Sequence, residues 1–212
     1  MHETTGHILT VFMGFFAIMN PIANTPVFLG LTADDSTAVR RRIAFKALLT
    51  TFVLIVAFIL LGKLIFSLFG ITLPAFQITG GILVFMIGLQ MLHGKQSQVH
   101  SPVATVKDDS MQSALNVAIT PLAMPILGGP GTIAAAMNFS SGGGMTGMLI
   151  TIVAFALLCL LTYVFFISGE RLVKVLGDEG LVMITRLMGL ILAVIGTQMF
   201  ITGVAGAIKA GS

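Results

Sequence analysis

The chain has 212 residues, of which 9% are charged and 56% belong to the hydrophobic set AVILMFWYC, and its mean hydropathy is +1.04. Soluble domains carry about 25% charged residues, and disordered chains combine low hydrophobicity with high charge, so the composition excludes both classes. The strands of a membrane β-barrel are short alternating segments, whereas this chain has continuous apolar runs. We therefore expect an all-α, polytopic membrane protein, with residues 1–212 forming a single domain in the lipid bilayer. The net charge of +3 is expected to mark orientation, and we expect no nucleic acid partner.

Six apolar segments are long enough to cross a bilayer, since a membrane helix needs about 20 mostly apolar residues. The six cover about 8–31, 45–66, 71–92, 113–139, 145–169 and 183–208. Two of them, the first and the fourth, are interrupted by NPIANTP at 20–26 and by TPLAMPILGGPGT at 120–132. The polar stretch 93–112 links the third segment to the fourth.

The lysines and arginines predict the orientation of these segments. One side of the predicted topology carries nine of them and the other carries two, Lys63 and Lys209. The nine are Arg40, Arg41, Arg42, Lys46, Lys95, Lys107, Arg171, Lys174 and Arg186. Because cationic loops stay in the cytoplasm, we expect a multi-pass protein of the cytoplasmic (inner) membrane, with a cytoplasmic 93–112 linker and both termini extracytoplasmic.

The two halves of the chain, about 8–92 and 113–208, share a spacing of residues that indicates an internal repeat. Matching residues in segments three and six are Gly81 and Gly189, Gly88 and Gly196, Gln90 and Gln198, and Met91 and Met199, all at an offset of 108. Gly62 and Gly70 match Gly169 and Gly177 at an offset of 107, and Pro21 and Pro26 match Pro125 and Pro130 at 104. Each half has three segments, an odd number, so the second half must enter the membrane from the opposite side. Inverted repeats with broken helices in corresponding positions are typical of secondary transporters with a site near the midplane.

The two interruptions supply the candidate substrate-binding residues. These are Asn20, Pro21, Asn24, Thr25 and Pro26 in the first, and Pro125, Gly128, Gly129, Pro130, Gly131 and Thr132 in the second. Helices that start near Pro26 and near Pro130 would point amide donors and positive dipole ends at a carboxylate, while prolines free nearby carbonyls. The alternative is that both breaks are kinks that only shape the helix bundle.

Enzyme chemistry has no visible apparatus in the sequence. No predicted span carries Asp or Glu at its centre, and HExxH, GxSxG and P-loop motifs are absent. We expect no enzymatic activity, no metal and no cofactor. The coupling ion, a proton or Na⁺, and the oligomeric state, a homo-oligomer included, stay open.

Four stretches carry a family resemblance: NPIANTPVFLGLT at 20–32, ITGGILVFMIGLQML at 78–92, PLAMPILGGPGTI at 121–133 and RLMGLILAVIGTQMF at 186–200. Through them, essentially the whole chain resembles the MarC family of six-helix inner-membrane proteins. The resemblance implies kinship with the LysE group of exporters, and similarity to an archaeal transporter of small neutral amino acids such as glycine and alanine. It implies substrate contacts at the motif residues of both breaks.

The function expected from these observations is secondary transport of small neutral amino acids by alternating access. Three alternatives remain at this point: an exporter of other small metabolites or drugs on the same scaffold, an ion or water channel, and a membrane protein that does not transport. The exporter of large drugs is disfavoured because the chain has no Trp and one Tyr.

Overall fold

The structure, a computed structural model, describes residues 2–33, 35–93, 127–141 and 144–211. Within these ranges the chain is helical apart from short turns, and no strand occurs. The seven helices are α1 (His2–Met19), α2 (Pro21–Leu31), α3 (Thr37–Phe69), α4 (Leu73–Leu92), α5 (Pro130–Ser141), α6 (Gly144–Ile167) and α7 (Gly169–Gly211). The all-helical class predicted from the sequence is confirmed.

Five of the predicted membrane spans are found in these ranges. They are Ile8–Leu31, Thr37–Gly62, Leu73–Leu92, Gly144–Ile167 and Glu179–Lys209. The fourth predicted span is described only from residue 127, as α5, so its first part, Pro125 and all but one residue of the 93–112 linker lie outside the described residues.

Two helices extend well beyond their predicted spans. The third helix, α3, begins at Thr37 because the Ser36 side chain caps it by accepting from the Val39 amide at 3.4 Å. The last helix, α7, bends at Gly177, whose φ of 64° and ψ of 173° are not helical. A hydropathy window detects only the apolar part of such a helix, which explains why the polar ends were missed.

Helices α4 and α7 pack against each other through small residues. A Cβ atom on Gly81 would lie 2.6 Å from the Gly196 carbonyl oxygen, and one on Gly88 would lie 2.6 Å from the Gly189 oxygen. Because residue numbers rise along α4 while they fall along α7, the pair is antiparallel. Such backbone-to-backbone contact needs glycine, as expected for helices that associate by close packing in lipid.

Aromatic side chains fix α1, α2 and α5 against α6. The Phe15 ring lies 4.9 Å from the Phe155 ring and 5.3 Å from the Phe139 ring, between centroids. Phe28 of α2 stacks on Phe166 with centroids 4.4 Å apart. These rings are apolar and mostly buried, so they hold both interrupted segments inside the helix bundle.

Candidate functional site

The first break lies at Asn20, between α1 and α2. Asn20 has a φ of 39° and a ψ of 67°, the left-handed conformation, and it is the one non-glycine residue with positive φ in the part of the chain that the structure describes. Its Oδ1 atom accepts from the Ala23 amide at 3.2 Å and so caps α2. Pro21 follows as the first helical residue, where its missing N–H costs nothing.

The expectation of a helix start near Pro26 is wrong, because Pro26 lies inside α2. The capped Asn20-Pro21 step is the better start, since proline is pre-organised for the first helical position. Because Pro26 has no N–H, the helix lacks one hydrogen bond there, the one that the Ile22 carbonyl would otherwise accept. The non-helical backbone is therefore one residue long instead of spanning 21–26.

Two buried side chains hold the backbone of this break together. The Asn24 Nδ2 atom donates to the Met19 carbonyl at 2.6 Å, and the Thr25 hydroxyl donates to the Pro21 carbonyl at 2.7 Å. Both hydrogen bonds are buried, and Thr25 is fully enclosed. Asn24 and Thr25 are thus positioning residues in this conformation, because the Thr25 hydroxyl proton and one N–H of the Asn24 carboxamide are bonded to the backbone of the break.

Asn20 keeps one donor that is not used. Its side chain is 3% exposed, and its Nδ2 atom has no hydrogen-bond partner among the described residues. A buried N–H group without a partner costs about 1–3 kcal/mol. The side-chain carboxamide of Asn20 is therefore the group at this break that gains most from a hydrogen-bond acceptor on a ligand.

The second break precedes α5, where Gly128 and Gly129 are buried and non-helical. Helix α5 begins at Pro130, as predicted, and the Ile133 amide donates to the Gly129 carbonyl at 3.1 Å. The Thr132 hydroxyl reaches back to the Leu127 carbonyl at 3.0 Å. This bond spans five residues, as does the Asn24 bond to Met19, so each break is tied by a side chain from the first turn of the following helix.

Pro130 and Gly131 contribute differently to this break. Pro130 is exposed, whereas Gly131 is buried against α4, where an added Cβ would lie 2.9 Å from Ile87 Cδ1. Gly131 thus lets α5 approach α4 closely. Pro125, the remaining predicted residue, lies outside the described residues.

The two breaks occur at similar depth along α6. Helix α1 runs parallel to α6, because Phe15 contacts Phe155 and Met19 contacts Thr162. Helix α5 ends at Ser141 and α6 begins at Gly144, and a Cβ atom on Gly147 would lie 3.7 Å from the Ser140 carbonyl oxygen, so α5 runs antiparallel to α6. At 1.5 Å rise per residue, these registers place the breaks roughly 7 Å apart in depth. No hydrogen bond between described residues joins one break to the other.

Thr162 is a neighbour of the first break that the sequence did not reveal. Its hydroxyl is fully buried, donates to the Leu158 carbonyl at 2.8 Å and lies 3.5 Å from the Met19 sulfur. A threonine that bonds to its own helix gives no sequence signal inside an apolar run. The contact shows that α6 forms one wall of the break.

A groove of about 480 Å³ in the described part of the chain lies away from both breaks. It is lined by Leu92 of α4 and by Glu179, Arg186 and apolar residues of α7, none of which belongs to a break. In the described ranges, no group of three His, Cys, Asp or Glu side chains is placed to hold a metal ion. The chemistry that the breaks offer is therefore that of neutral donors and acceptors.

An ion pair marks the far end of α2. The Arg40 guanidinium donates to Glu170 Oε1 at 2.8 Å and to the Thr32 carbonyl at 3.2 Å. The hydrogen bond from Arg40, and then its charge, hold the pKa of the Glu170 carboxyl below its ordinary value. Glu170 therefore stays ionised at neutral pH.

Comparison with known proteins gives one consistent result. The model of the MarC family, described as integral membrane proteins, matches residues 5–208. The chain is 40% identical to the UPF0056 membrane protein YvbG of Bacillus subtilis over 94% of both chains. It is 32% identical to the UPF0056 inner membrane protein MarC of Salmonella arizonae over 91% of both chains. No solved structure matches the chain.

Proposed function

Because the chain belongs to the MarC family of integral membrane proteins, we propose that it is a secondary transporter of small neutral amino acids, and not an enzyme. The substrates are glycine- or alanine-like zwitterions, carried across the cytoplasmic membrane by alternating access. The observation that carries this proposal is the pair of broken helices at similar depth inside the bundle. Breaks of this kind are expected only where the backbone is buried in protein or lines a cavity.

An inverted repeat, which alternating access needs, is part of the proposal. The α4–α7 contacts support it, because Gly81 meets Gly196 while their repeat mates, Gly189 and Gly88, meet each other. The short helices support it as well. Helix α2 packs on Gly169, through Thr25 and Leu29, and α5 packs on Gly62, the repeat mate of Gly169, through Met137.

The helix starts favour a pairing of the two breaks that differs from the one suggested by proline spacing. The proline at the start of α2 is Pro21 and the one at the start of α5 is Pro130, an offset of 130 − 21 = 109. This value is close to the offsets of 107 and 108 between the other helices, whereas the pairing of Pro26 with Pro130 gives 104. We propose that Asn20-Pro21 and Gly129-Pro130 are the equivalent elements of the two halves.

The polar groups at the breaks suit a small zwitterion. A carboxylate would accept from Asn20 Nδ2 and from first-turn amides of α2, whose positive dipole end favours an anion. An ammonium group would donate to backbone carbonyls, among which the Ala17 carbonyl loses its usual i+4 partner because Pro21 has no N–H. Uncharged donors and acceptors among buried apolar side chains favour a solute with no net charge.

Counterflow in proteoliposomes tests this proposal. Vesicles that contain the purified chain are loaded with unlabelled alanine and diluted into labelled alanine. A carrier accumulates label transiently above equilibrium, because internal substrate returns the binding site to the outside. A channel gives equilibration without overshoot. Absence of counterflow with every small neutral amino acid would overturn the proposal, and counterflow with a different metabolite would replace the substrate.

A further inference from the structure

The far ends of the two short helices are each held by a polar side-chain contact. The first contact lies on the side of the bundle that we call the cation-rich face. This face carries Arg40, Arg41, Arg42, Arg171 and Lys174. There the Arg40 side chain of α3 bonds both to the Thr32 carbonyl, at the end of α2, and to Glu170, at the start of α7. One guanidinium thus joins three helices, two from the first half of the chain and one from the second.

The second contact lies at the opposite end of the bundle. The Gln77 Nε2 atom donates to Asn138 Oδ1 at 2.7 Å, which ties α4 to the last turn of α5. Gln77 is 8% exposed and Asn138 is half-buried, so this bond is partly shielded from water. Again a helix of the first half is joined to a helix of the second half.

We propose that these two contacts are latches, one for each face, and that the structure is the state in which both are closed. This inference rests on the transport function proposed above and adds how the two faces open in turn. Helix α2 can swing away from α7 about Asn20 only if Arg40 releases Thr32 or Glu170. Helix α5 can swing away from α4 about Gly128 and Gly129 only if Gln77 releases Asn138.

The latches differ in chemistry although the halves are similar. At the repeat offsets of 107 and 108, the mate of Arg40 is Gly147 and the mate of Gln77 is Thr185, so neither half can form the other's latch. The latch at the cation-rich face is ionic, and the Glu170 side chain is 68% exposed, so salt weakens it. The latch at the opposite end joins two neutral amides, and salt has little effect on it. Opening of the two faces therefore responds differently to ionic strength.

Labelling of a single cysteine from either face tests the latches without substrate. The reporter is Ala23→Cys beside the first break, in a chain whose own cysteine is removed by Cys159→Ala. A membrane-impermeant maleimide is applied to right-side-out and inside-out vesicles. Glu170→Ala should raise the labelling rate from the cation-rich face about threefold, as expected for loss of an exposed ion pair, and leave the opposite face unchanged. Gln77→Leu should raise the labelling rate from the opposite face and leave the rate from the cation-rich face unchanged. Salt at 0.5 M, which shortens the Debye length to about 4 Å, should raise the labelling rate from the cation-rich face, as Glu170→Ala does, and leave the opposite face unchanged.

Matched variants separate a latch from a loss of fold. Arg41→Gln removes an exposed cation next to Arg40, and Gln198→Leu removes an exposed glutamine of α7. Neither should change labelling from either face. The exchange of Arg40→Glu with Glu170→Arg restores the ion pair but not the latch, because a carboxylate at position 40 cannot donate to the Thr32 carbonyl, so the cation-rich face should still label faster than in the parent.

Labelling that rises from both faces, or from neither, overturns the latch proposal. If counterflow succeeds while the latch variants label like the parent, transport stands and these contacts are only structural. If counterflow fails while labelling is face-selective, the latches stand and the substrate proposal falls.

Discussion

The substitution Asn20→Gly separates a ligand role of Asn20 from its structural role. Glycine adopts the left-handed backbone at position 20 without strain, and replacing an N-cap side chain by glycine costs only a few tenths of a kcal/mol. The substitution removes Asn20 Nδ2, the buried donor at the break that has no partner among the residues that the structure describes. Stability should therefore change little, while any bond from this donor to substrate is lost.

The magnitude follows from the charge of the acceptor. A hydrogen bond to a charged group contributes about 1.5–3 kcal/mol, and each 1.4 kcal/mol is a factor of ten in affinity. The apparent affinity for alanine in counterflow should fall about 10- to 100-fold. The matched control is Thr72→Gly, because the Thr72 side chain caps α4 in the same way, by accepting from the Ala75 amide at 3.3 Å, and is exposed.

Stability can be followed through Cys159. The chain has no Trp and one Cys, and Cys159 is buried, so a thiol-reactive fluorogenic dye reports unfolding on heating. An Asn20→Gly variant that unfolds near the parent temperature and transports alanine with unchanged affinity would refute the assignment of Asn20 as a ligand.

Further predictions concern stability, packing, pH and topology. Asn24→Ala should lower the free energy of unfolding by about 1–3 kcal/mol, because it leaves the buried Met19 carbonyl without its donor; an unchanged unfolding temperature would contradict the positioning role. Gly88→Ala should lower the free energy of unfolding by about 1–3 kcal/mol, because the added methyl group overpacks against α7, and the same dye assay measures it. The control is Gly30→Ala, where an added Cβ meets nothing within 4 Å, and it should leave the unfolding temperature unchanged. Because Arg40 lowers the pKa of Glu170, the ion pair is fully formed above the ordinary carboxyl range and is lost as pH falls through the lowered pKa. The labelling rate of the parent relative to Glu170→Ala, measured at the same pH so that the change in thiolate fraction cancels, should thus stay constant from about pH 8 to about pH 5.5, and a rise of this ratio within that range would count against the ion pair as a latch. A reporter fused after the last residue should read extracytoplasmic and one inserted at 93–110 cytoplasmic, and the reverse would overturn the orientation.

Local features of the sequence predicted the membrane fold. Continuous apolar runs gave the spans, because hydropathy over about 20 residues is a property of one segment. The glycines that indicated the repeat, among them Gly81 and Gly196, lie where α4 and α7 approach most closely. The NPIANTP stretch placed the first break within 20–26, although the helix start expected near Pro26 lies at Pro21.

Three features of the structure differ from the expectations or were missed, two of them local and one dependent on a distant partner. Asn24 was expected to face a substrate, yet its donor bonds to the Met19 carbonyl. Pro26 was expected to start a helix and lies within one. The pair Arg40–Glu170 joins residues 130 positions apart, and no pattern along the chain reveals it. The first two depend on where the helix is capped, which the sequence left open between Pro21 and Pro26, and the third depends on tertiary packing.

The decisive experiment is a structure of the purified chain with bound alanine. We expect non-helical backbone at Asn20 and at Gly128–Gly129, with the alanine carboxylate about 3 Å from Asn20 Nδ2, the distance of a hydrogen bond. The ammonium group should lie against backbone carbonyls of the two breaks. Straight continuous helices through either break, or alanine bound away from both, would contradict the account.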